Sequence, residues 1–348
     1  MKFSVALPTC YEGLGYPIGL VRDGATFVRL ARTAEALGYD GLWGNDHLVT
    51  PRFLRGSPDG PPSFFEPLVV LAHVAAATER IRLGTAVLAL PLRDPVALAK
   101  QAATLDVLSQ GRLSLGVGVG AYPEEHTALH PQPARGPRSA IFEESIEALR
   151  LLLDERRGSY CGRSVRFEDV ELTPGPVQRP FPIYVGGHTT KAIDRAARWG
   201  QGWMPGWRPI AELREWIELL RARVASVGRD PRTVEVAPEL SATIRGRHEE
   251  AVHRYETSRF VRHRRSLDRS KRDPALMRES NLVGSPEAIL QQVATLAAAG
   301  VDHCAAIAFP AETIDELVEQ WQLFAEEVLP LARALTTAAR EAHQPTSI

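Results

Sequence analysis

The stretch IRLGTAVLALPLRDPVALAKQAATLDVLSQGRLSLGVGVG, residues 81–120, reads as strand, helix and strand in a single pass. Residues 81–88 form a continuous apolar run of strand length, the pattern of a parallel strand buried on both faces. Asp94 then occupies an N-cap position and Pro95 the first helical one. Leu98, Ala102, Leu105 and Leu108 follow at spacings of three and four and predict one core-facing stripe. Gly111 supplies the stop, and residues 112–119 predict the next buried strand. The stretch is therefore a βαβ unit whose second strand ends in glycines, where a ligand can approach the backbone. Such units place their chemistry at the carboxyl ends of strands.

Working outward, the phrase helix, glycine, strand recurs at residues 30–46, 192–206 and 293–310. Counted along the chain, strands are predicted at 2–7, 40–44, 81–88, 112–119, 182–186, 201–204, 233–240 and 302–309, with helices between them. One of these helices, 285–299, opens with Pro286 at its first position. Alternating βα units in this number favour a closed (β/α)8 TIM barrel over an open doubly wound sheet. Residues 8–23 and 49–65 are Gly/Pro-rich loops after the first two strands, on the catalytic face of such a barrel. Residues 158–172 alternate weakly around Gly162 and predict a small hairpin outside it. The organisation expected is a single domain over 1–335, with an insertion at 246–282, followed by a polar, frayed tail at 336–348. The insertion carries Arg254, Arg259, Arg262, Arg264, Arg265, Arg269 and Arg272. It reads either as a solvated, partly helical lid or as a cationic flap over an anionic ligand.

Composition excludes more than it assigns. A chain of 348 residues can bury a large core. A net charge of −1 gives no global argument for nucleic acid or a membrane surface. Cys10, Cys161 and Cys304 are odd in number and far apart, which is neither a disulfide framework nor a metal knuckle. The chain enters a strand at residue 2 without a basic-then-apolar leader, and no apolar run reaches membrane-spanning length. The expectation is a soluble, cytoplasmic protein acting on a small molecule.

Three motifs carry chemistry. Asp46 and His47 directly follow the second strand in WGNDHL, where a histidine can titrate near neutrality and donate to a polar ligand. Consecutive residues diverge, so Asp46 need not pair with its neighbour; the competing reading is a turn aspartate and a half-buried histidine. The segment IYVGGHTT, residues 183–190, runs from a strand through two glycines to a helix start. Backbone amides and the Thr189 or Thr190 hydroxyl there suit a phosphate, although a tight turn with an N-cap accounts for the same residues. Gly116, Gly118 and Gly120 lie in and after a strand, so they read as a flat wall for a ligand or as barrel packing, not as a dinucleotide fingerprint. The ten histidines are scattered without HExxH or paired-cysteine spacing, and no GxSxG elbow occurs, so neither a metal site nor a serine nucleophile is indicated.

Together the motifs LGYDGLWGNDH (37–47), residues 77–120, VQRPFPIYVGGHTTKAIDRAARWGQGW (177–203) and LVGSPEAILQQVATLAAAGVD (282–302) resemble the bacterial-luciferase-like flavin and deazaflavin oxidoreductases. The resemblance runs in order over about residues 1–330. The Trp43–His47 pattern and the GGH loop look more like the coenzyme F420-dependent branch than the FMN-using one. It implies that Asp46 and His47 lie over the deazaflavin ring and that Ala86-Val87 is a non-prolyl cis peptide backing it. It further implies that Gly120 lies on the cofactor, that Gly186, Gly187, His188 and Thr189 hold its phosphate, and that the chain forms a homodimer. One departure stands out. Where some family dehydrogenases carry a proton-donating glutamate after the Gly-rich strand, this chain reads Ala121-Tyr122-Pro123, and Glu124 follows too late to be assumed equivalent.

The expected function is hydride exchange between F420 and a small organic substrate, with Trp43, Trp203 and Trp207 as possible pocket walls. The alternatives are an FMN-dependent monooxygenase and, on the strength of the missing glutamate, a cofactor carrier without turnover.

Overall fold

The computed structural model describes residues 1–130, 136–206, 208–266 and 274–342. Eight parallel strands form a ring: β1 (Lys2–Leu7), β2 (Gly41–Gly44), β3 (Arg82–Thr85, resuming as Leu88–Ala89), β4 (Leu113–Gly118), β5 (Ile183–Gly186), β6 (Gly202–Met204), β7 (Glu235–Val236, resuming as Glu239–Ile244) and β8 (His303–Ala308). Each pairs with the next in the chain. β7 meets β6 at Glu235↔Gly202 and β8 at Glu239↔Ala305, and β8 meets β1 at Lys2↔His303. The eight predicted strands are therefore the eight staves of a TIM barrel.

Outside the ring pack helices α1 (Gly24–Ala36), α2 (Pro67–Ala75), α3 (Pro95–Leu108), α4 (Arg138–Arg150), α5 (Thr190–Trp199), α6 (Ile210–Ser226), α7 (Pro286–Ala299) and α8 (Ile314–Glu327). Their starts follow the sequence: Asp94 caps α3 by accepting from Ala97 N at 2.8 Å, and Ser285 precedes Pro286 at the head of α7. Gly38, Gly111 and Gly300 leave helices with positive φ, whereas Gly200 is extended. There, close packing against Ala196 and Gly202 rather than handedness excludes a side chain. The α3 stripe holds for Leu98, Ala102 and Leu105, but Leu108 is 65% exposed. The apolar run at 81–88 is broken after Thr85 and resumes at Leu88, and the Ala86-Val87 bond between is cis, as the family resemblance implied.

Two apolar cores lie on opposite sides of the strand ring. The larger fills the shell between strands and helices, with Phe3, Val5, Leu42, Leu83 and Leu115 facing outward from the ring. The smaller plugs the ring itself. Trp43 packs over Gly84 and Tyr184 over Gly202, where added Cβ atoms would approach to 2.4 and 2.0 Å, and the two rings meet edge to face at 5.5 Å. Beneath this plug is a polar layer: Lys2 pairs with Glu235, Tyr184 donates to Glu235 at 2.7 Å, and Ser4 Oγ meets His303 Nε2 at 2.7 Å. Above it, the carboxyl ends of the strands open into a cavity.

The hairpin expected at 158–172 is present as antiparallel Arg157–Cys161 and Arg166–Glu171. The insertion after β7 forms helices His248–Glu256, Arg259–Ser266 and Pro274–Glu279, then a short strand, Leu282–Gly284, paired to the end of β7. It is not the solvated lid expected. Tyr255, Phe260, Val261 and Met277 are buried with the residues of the barrel plug, and Phe260 lies 5.5 Å from the Tyr11 ring. Its root is tied to α8, where Glu316 accepts from Arg245 at 2.6 Å and from Arg254 at 3.0 Å, and Glu312 pairs with Arg259 at 3.2 Å. Arg269 and Arg272 lie outside the described residues. The final helix, Leu329–Ala342, runs into the stretch read as a polar, frayed tail, and residues 343–348 also lie outside them. Among the described residues no helix is long and apolar enough to cross a membrane.

Candidate functional site

The cavity at the mouth of the barrel has a volume of about 380 Å³, and its walls come from the ends of β1 to β6, from Glu239 within β7 and from the insertion. It brings together nearly the whole set predicted from sequence: Asp46, His47, Ala86, Val87, Gly120, Gly186, Gly187, His188 and Thr189. Two loops over it are fixed by one buried carboxylate. Glu12 accepts from Val21 N at 3.1 Å and from Ser63 N at 2.8 Å, joining the loop after β1 to the loop after β2.

His47 extends from β2 and its Nδ1 lies 2.8 Å from Glu125 Oε1. Glu125, 2% exposed, sits on the short helix Pro123–Leu129 that follows β4. Where Nδ1 donates to this carboxylate, Nε2 is the ring nitrogen left for a further partner. Tyr122 and Phe64 flank the imidazole at 5.2 and 5.5 Å. Glu125 thus places a buried carboxyl beside His47 after the Gly-rich fourth strand, one position beyond Glu124. Glu124, by contrast, accepts from Arg52 N at 2.9 Å and is half-buried.

Asp46, which also lines the cavity, is tied into the loop that follows β3. Its carboxylate accepts from Ala89 N at 3.0 Å and from Arg93 Nη2 at 2.7 Å, and Arg93 also meets Glu66 at 2.9 Å. Burial depresses the Arg93 guanidinium, but the two carboxylates outweigh it and hold the pKa above its ordinary value. Asp46 thus secures the segment following Ala86-Val87 rather than presenting a free oxygen to a ligand.

The glycines divide between the two readings made of them. A Cβ on Gly116 would lie 1.9 Å from the Thr85 carbonyl oxygen, so Gly116 serves strand packing. Gly118, Gly120 and Gly186 line the cavity, and Cβ atoms on Gly118 and Gly186 would approach the Val87 side chain to 2.8 and 3.0 Å. Val87 is thus bordered by side-chain-free backbone, a flat wall suited to a planar ring.

At the β5 turn, Thr189 caps α5 by accepting from Ala192 N at 3.2 Å, which leaves its hydroxyl hydrogen to donate. The Gly187 amide is not available to a phosphate, as had been expected, because it donates to Met204 O at 3.0 Å. Gly187 serves through its conformation, φ 126°, and its carbonyl accepts from Trp203 Nε1 at 2.8 Å. The opening of α5 and the nearby Arg195, itself paired with Glu143 at 2.8 Å, give this end of the cavity a donor set that fits an anionic tail. No tryptophan forms a cavity wall among the described residues: Trp43 is in the barrel plug, Trp203 braces the turn, and Trp207 lies outside them.

From the insertion, Phe260, His263 and Arg264 close the cavity, so of the flap arginines expected over a ligand, Arg264 takes that position among the described residues. Burial drives the His263 pKa down to about 4. Glu239 enters from β7, and burial raises its carboxyl to about 7. Sequence reasoning singled out neither Glu125 nor Glu239.

A closed parallel barrel thus carries a glycine wall and a buried His47–Glu125 contact at its mouth. The chain belongs to the luciferase-like monooxygenase family, whose model matches residues 1–303. It is 37% identical over 219 residues to an uncharacterized protein of Mycobacterium tuberculosis, covering 60% of this chain and 74% of that one. It is 30% identical over 215 residues to the F420-dependent hydroxymycolic acid dehydrogenase of Mycobacterium tuberculosis, covering 62% and 58%. With the FMNH2-dependent dimethylsulfone monooxygenase of Pseudomonas putida it shares 27% over 351 residues, covering 90% and 89%. Among solved structures, the monooxygenase RslO1 from Streptomyces bottropensis superposes with a TM-score of 0.79 at 26% identity, covering 95% of this chain and 99% of that one.

Proposed function

We propose that the protein is an F420-dependent oxidoreductase that exchanges a hydride between the deazaflavin and a small organic substrate. The observation that carries this reading is the His47–Glu125 pair, a buried acid–base couple bridging the end of β3 beside Ala86-Val87. The likeness to an F420-dependent dehydrogenase supports it. Ala86-Val87 would back the ring, Gly118, Gly120 and Gly186 would let it lie flat, and residues 186–189 with the start of α5 would receive the phosphate. When bound, the deazaflavin supplies a two-electron hydride donor or acceptor. His47 then orients the substrate or the ring edge through Nε2, and Glu125 fixes the imidazole and stabilises its protonated form.

A second reading, an FMN-dependent monooxygenase, is favoured by the likeness to the dimethylsulfone monooxygenase over nearly the whole chain. Equilibrium titration with F420 and with FMN, followed by oxygen-consumption measurements with the reduced cofactors, separates the two. Tight F420 binding without oxygen uptake supports hydride exchange; preferential FMN binding with substrate-dependent oxygen uptake overturns it.

We further propose, on the family resemblance, that the chain forms a homodimer. Light scattering should give twice the chain mass; the mass of a single chain overturns it.

A further inference from the structure

Glu239 stands on β7, four strands from β3 in either direction around the ring, so it reaches the cavity from the wall opposite Ala86-Val87. Two backbone irregularities place it there. β7 is interrupted at Ala237-Pro238, between the segment that pairs with β6 and the segment that pairs with β8. Beside it β8 bulges: Glu239 pairs with Ala305 but Ser241 pairs with Ala308, and Ala306 within that step has φ 47°. Bulges next to sites re-aim side chains, and a non-glycine residue in the left-handed region persists only where its surroundings hold it.

The charged and titratable groups around Glu239 come from three directions. Tyr11 faces it from the loop after β1, and Arg264 and His263 from the insertion. Across the cavity stand His47 and Glu125. Burial favours the protonated carboxyl, and the Arg264 charge pulls the other way. Its pKa of about 7 lets Glu239 hold a proton near neutrality and give it up without leaving an uncompensated charge.

We propose that Glu239 is a second acid–base residue of this cavity, facing the His47–Glu125 pair, and that it serves a substrate whose reacting carbon bears a carbonyl or hydroxyl oxygen. This rests on the hydride-exchange reading above. In the reducing direction the reduced deazaflavin is the two-electron donor. A C–H bond would form at the carbonyl carbon as the donor's own C–H bond breaks with its electron pair, the C=O π pair would move to oxygen, and the Glu239 O–H bond would break as the new O–H bond forms. The resulting carboxylate faces the Arg264 guanidinium and regains its proton from water. In the oxidising direction every transfer is reversed.

Glu239→Gln keeps the size and hydrogen-bond donor but cannot release a proton, while Glu239→Asp keeps the proton and withdraws it by one methylene. In the cofactor-free protein, infrared difference spectra should show a protonated-carboxyl C=O band that is lost as the pH rises through about 7, and that is absent from Glu239→Gln. With F420 bound, single-turnover transfer to a ketone should fall on the order of 10²-fold in Glu239→Gln and less in Glu239→Asp, with F420 affinity retained. A band that persists in Glu239→Gln, or parental transfer rates and pH profile in that variant, overturns the proposal. If the parent itself fails to bind F420, the hydride-exchange reading fails and takes the substrate assignment with it. The infrared titration distinguishes that case from a failure of Glu239 alone.

Discussion

The imidazole of His47 and the carboxyl of Glu125 meet at 2.8 Å although they arise from β2 and from the helix after β4, so their contact spans the end of β3 that lies between them. Each residue is useful through the other: where Nδ1 donates to the carboxylate, the ring presents its remaining nitrogen. His47→Asn should lower single-turnover hydride transfer on the order of 10²-fold, and Glu125→Gln by roughly tenfold, with melting temperatures near that of the parent. Normal transfer in a destabilised His47→Asn would show that the histidine is structural.

Asp46 should behave in the opposite way. Asp46→Asn weakens an ion pair whose side chains are 1% and 9% exposed, leaving Arg93 with Glu66 as its remaining carboxylate. Breaking a buried pair on one side is costly, and the surviving Glu66 contact moderates the effect to roughly 2–4 kcal/mol. Chemical denaturation should register that loss, while transfer per folded molecule stays close to parental. A loss of transfer with unchanged stability would place Asp46 against the reacting groups instead.

Gly187→Val tests the turn before α5. The position has φ 126°, and an added Cβ would stand 3.0 Å from the Ala192 methyl, so valine forces the turn to move. Cofactor affinity should fall at least tenfold, about 1.4 kcal/mol, as measured by fluorescence titration. Unchanged affinity in a folded variant would move the phosphate to another part of the cavity.

Acid should weaken the barrel through His303. Burial lowers its pKa from 6.5 to about 4, so below 6.5 the unfolded chain binds a proton that the folded chain refuses. The stabilising contribution of the neutral ring is complete above 6.5 and is lost as the pH falls through that value toward 4, a change of about 3 kcal/mol. His303→Gln should flatten this part of the stability–pH curve in urea unfolding. A curve as steep as that of the parent would assign the acid sensitivity to other groups, His263 first among them.

The barrel was legible because each stave is an apolar run closed by turn chemistry, as in residues 81–120, and because capping signals such as Asp94-Pro95 are local. The His47 and 186–189 positions were legible because strand ends fall where runs stop. Glu125 was not, because its access depends on the phase of one short helix: adjacent residues point about 100° apart, so Glu124 and Glu125 face different surroundings. Pro123, at the first position of that helix, was the signal that could have set the phase. Glu239 was hidden for a different reason, since its aim depends on a bulge in β8, more than sixty residues away in the chain. Leu108 fits the helical period yet faces outward, because periodicity marks an apolar face without saying what covers it.

The insertion over the cavity is held at its two sides by contacts of different chemistry. One side is ionic, Glu316 with Arg245 and Arg254, whereas the other is apolar, Phe260 against Tyr11 and Tyr16. Chloride salts screen the first and scarcely touch the second, while sulfate also tightens the second. Ligand exchange should therefore quicken in sodium chloride and slow again in ammonium sulfate of equal ionic strength.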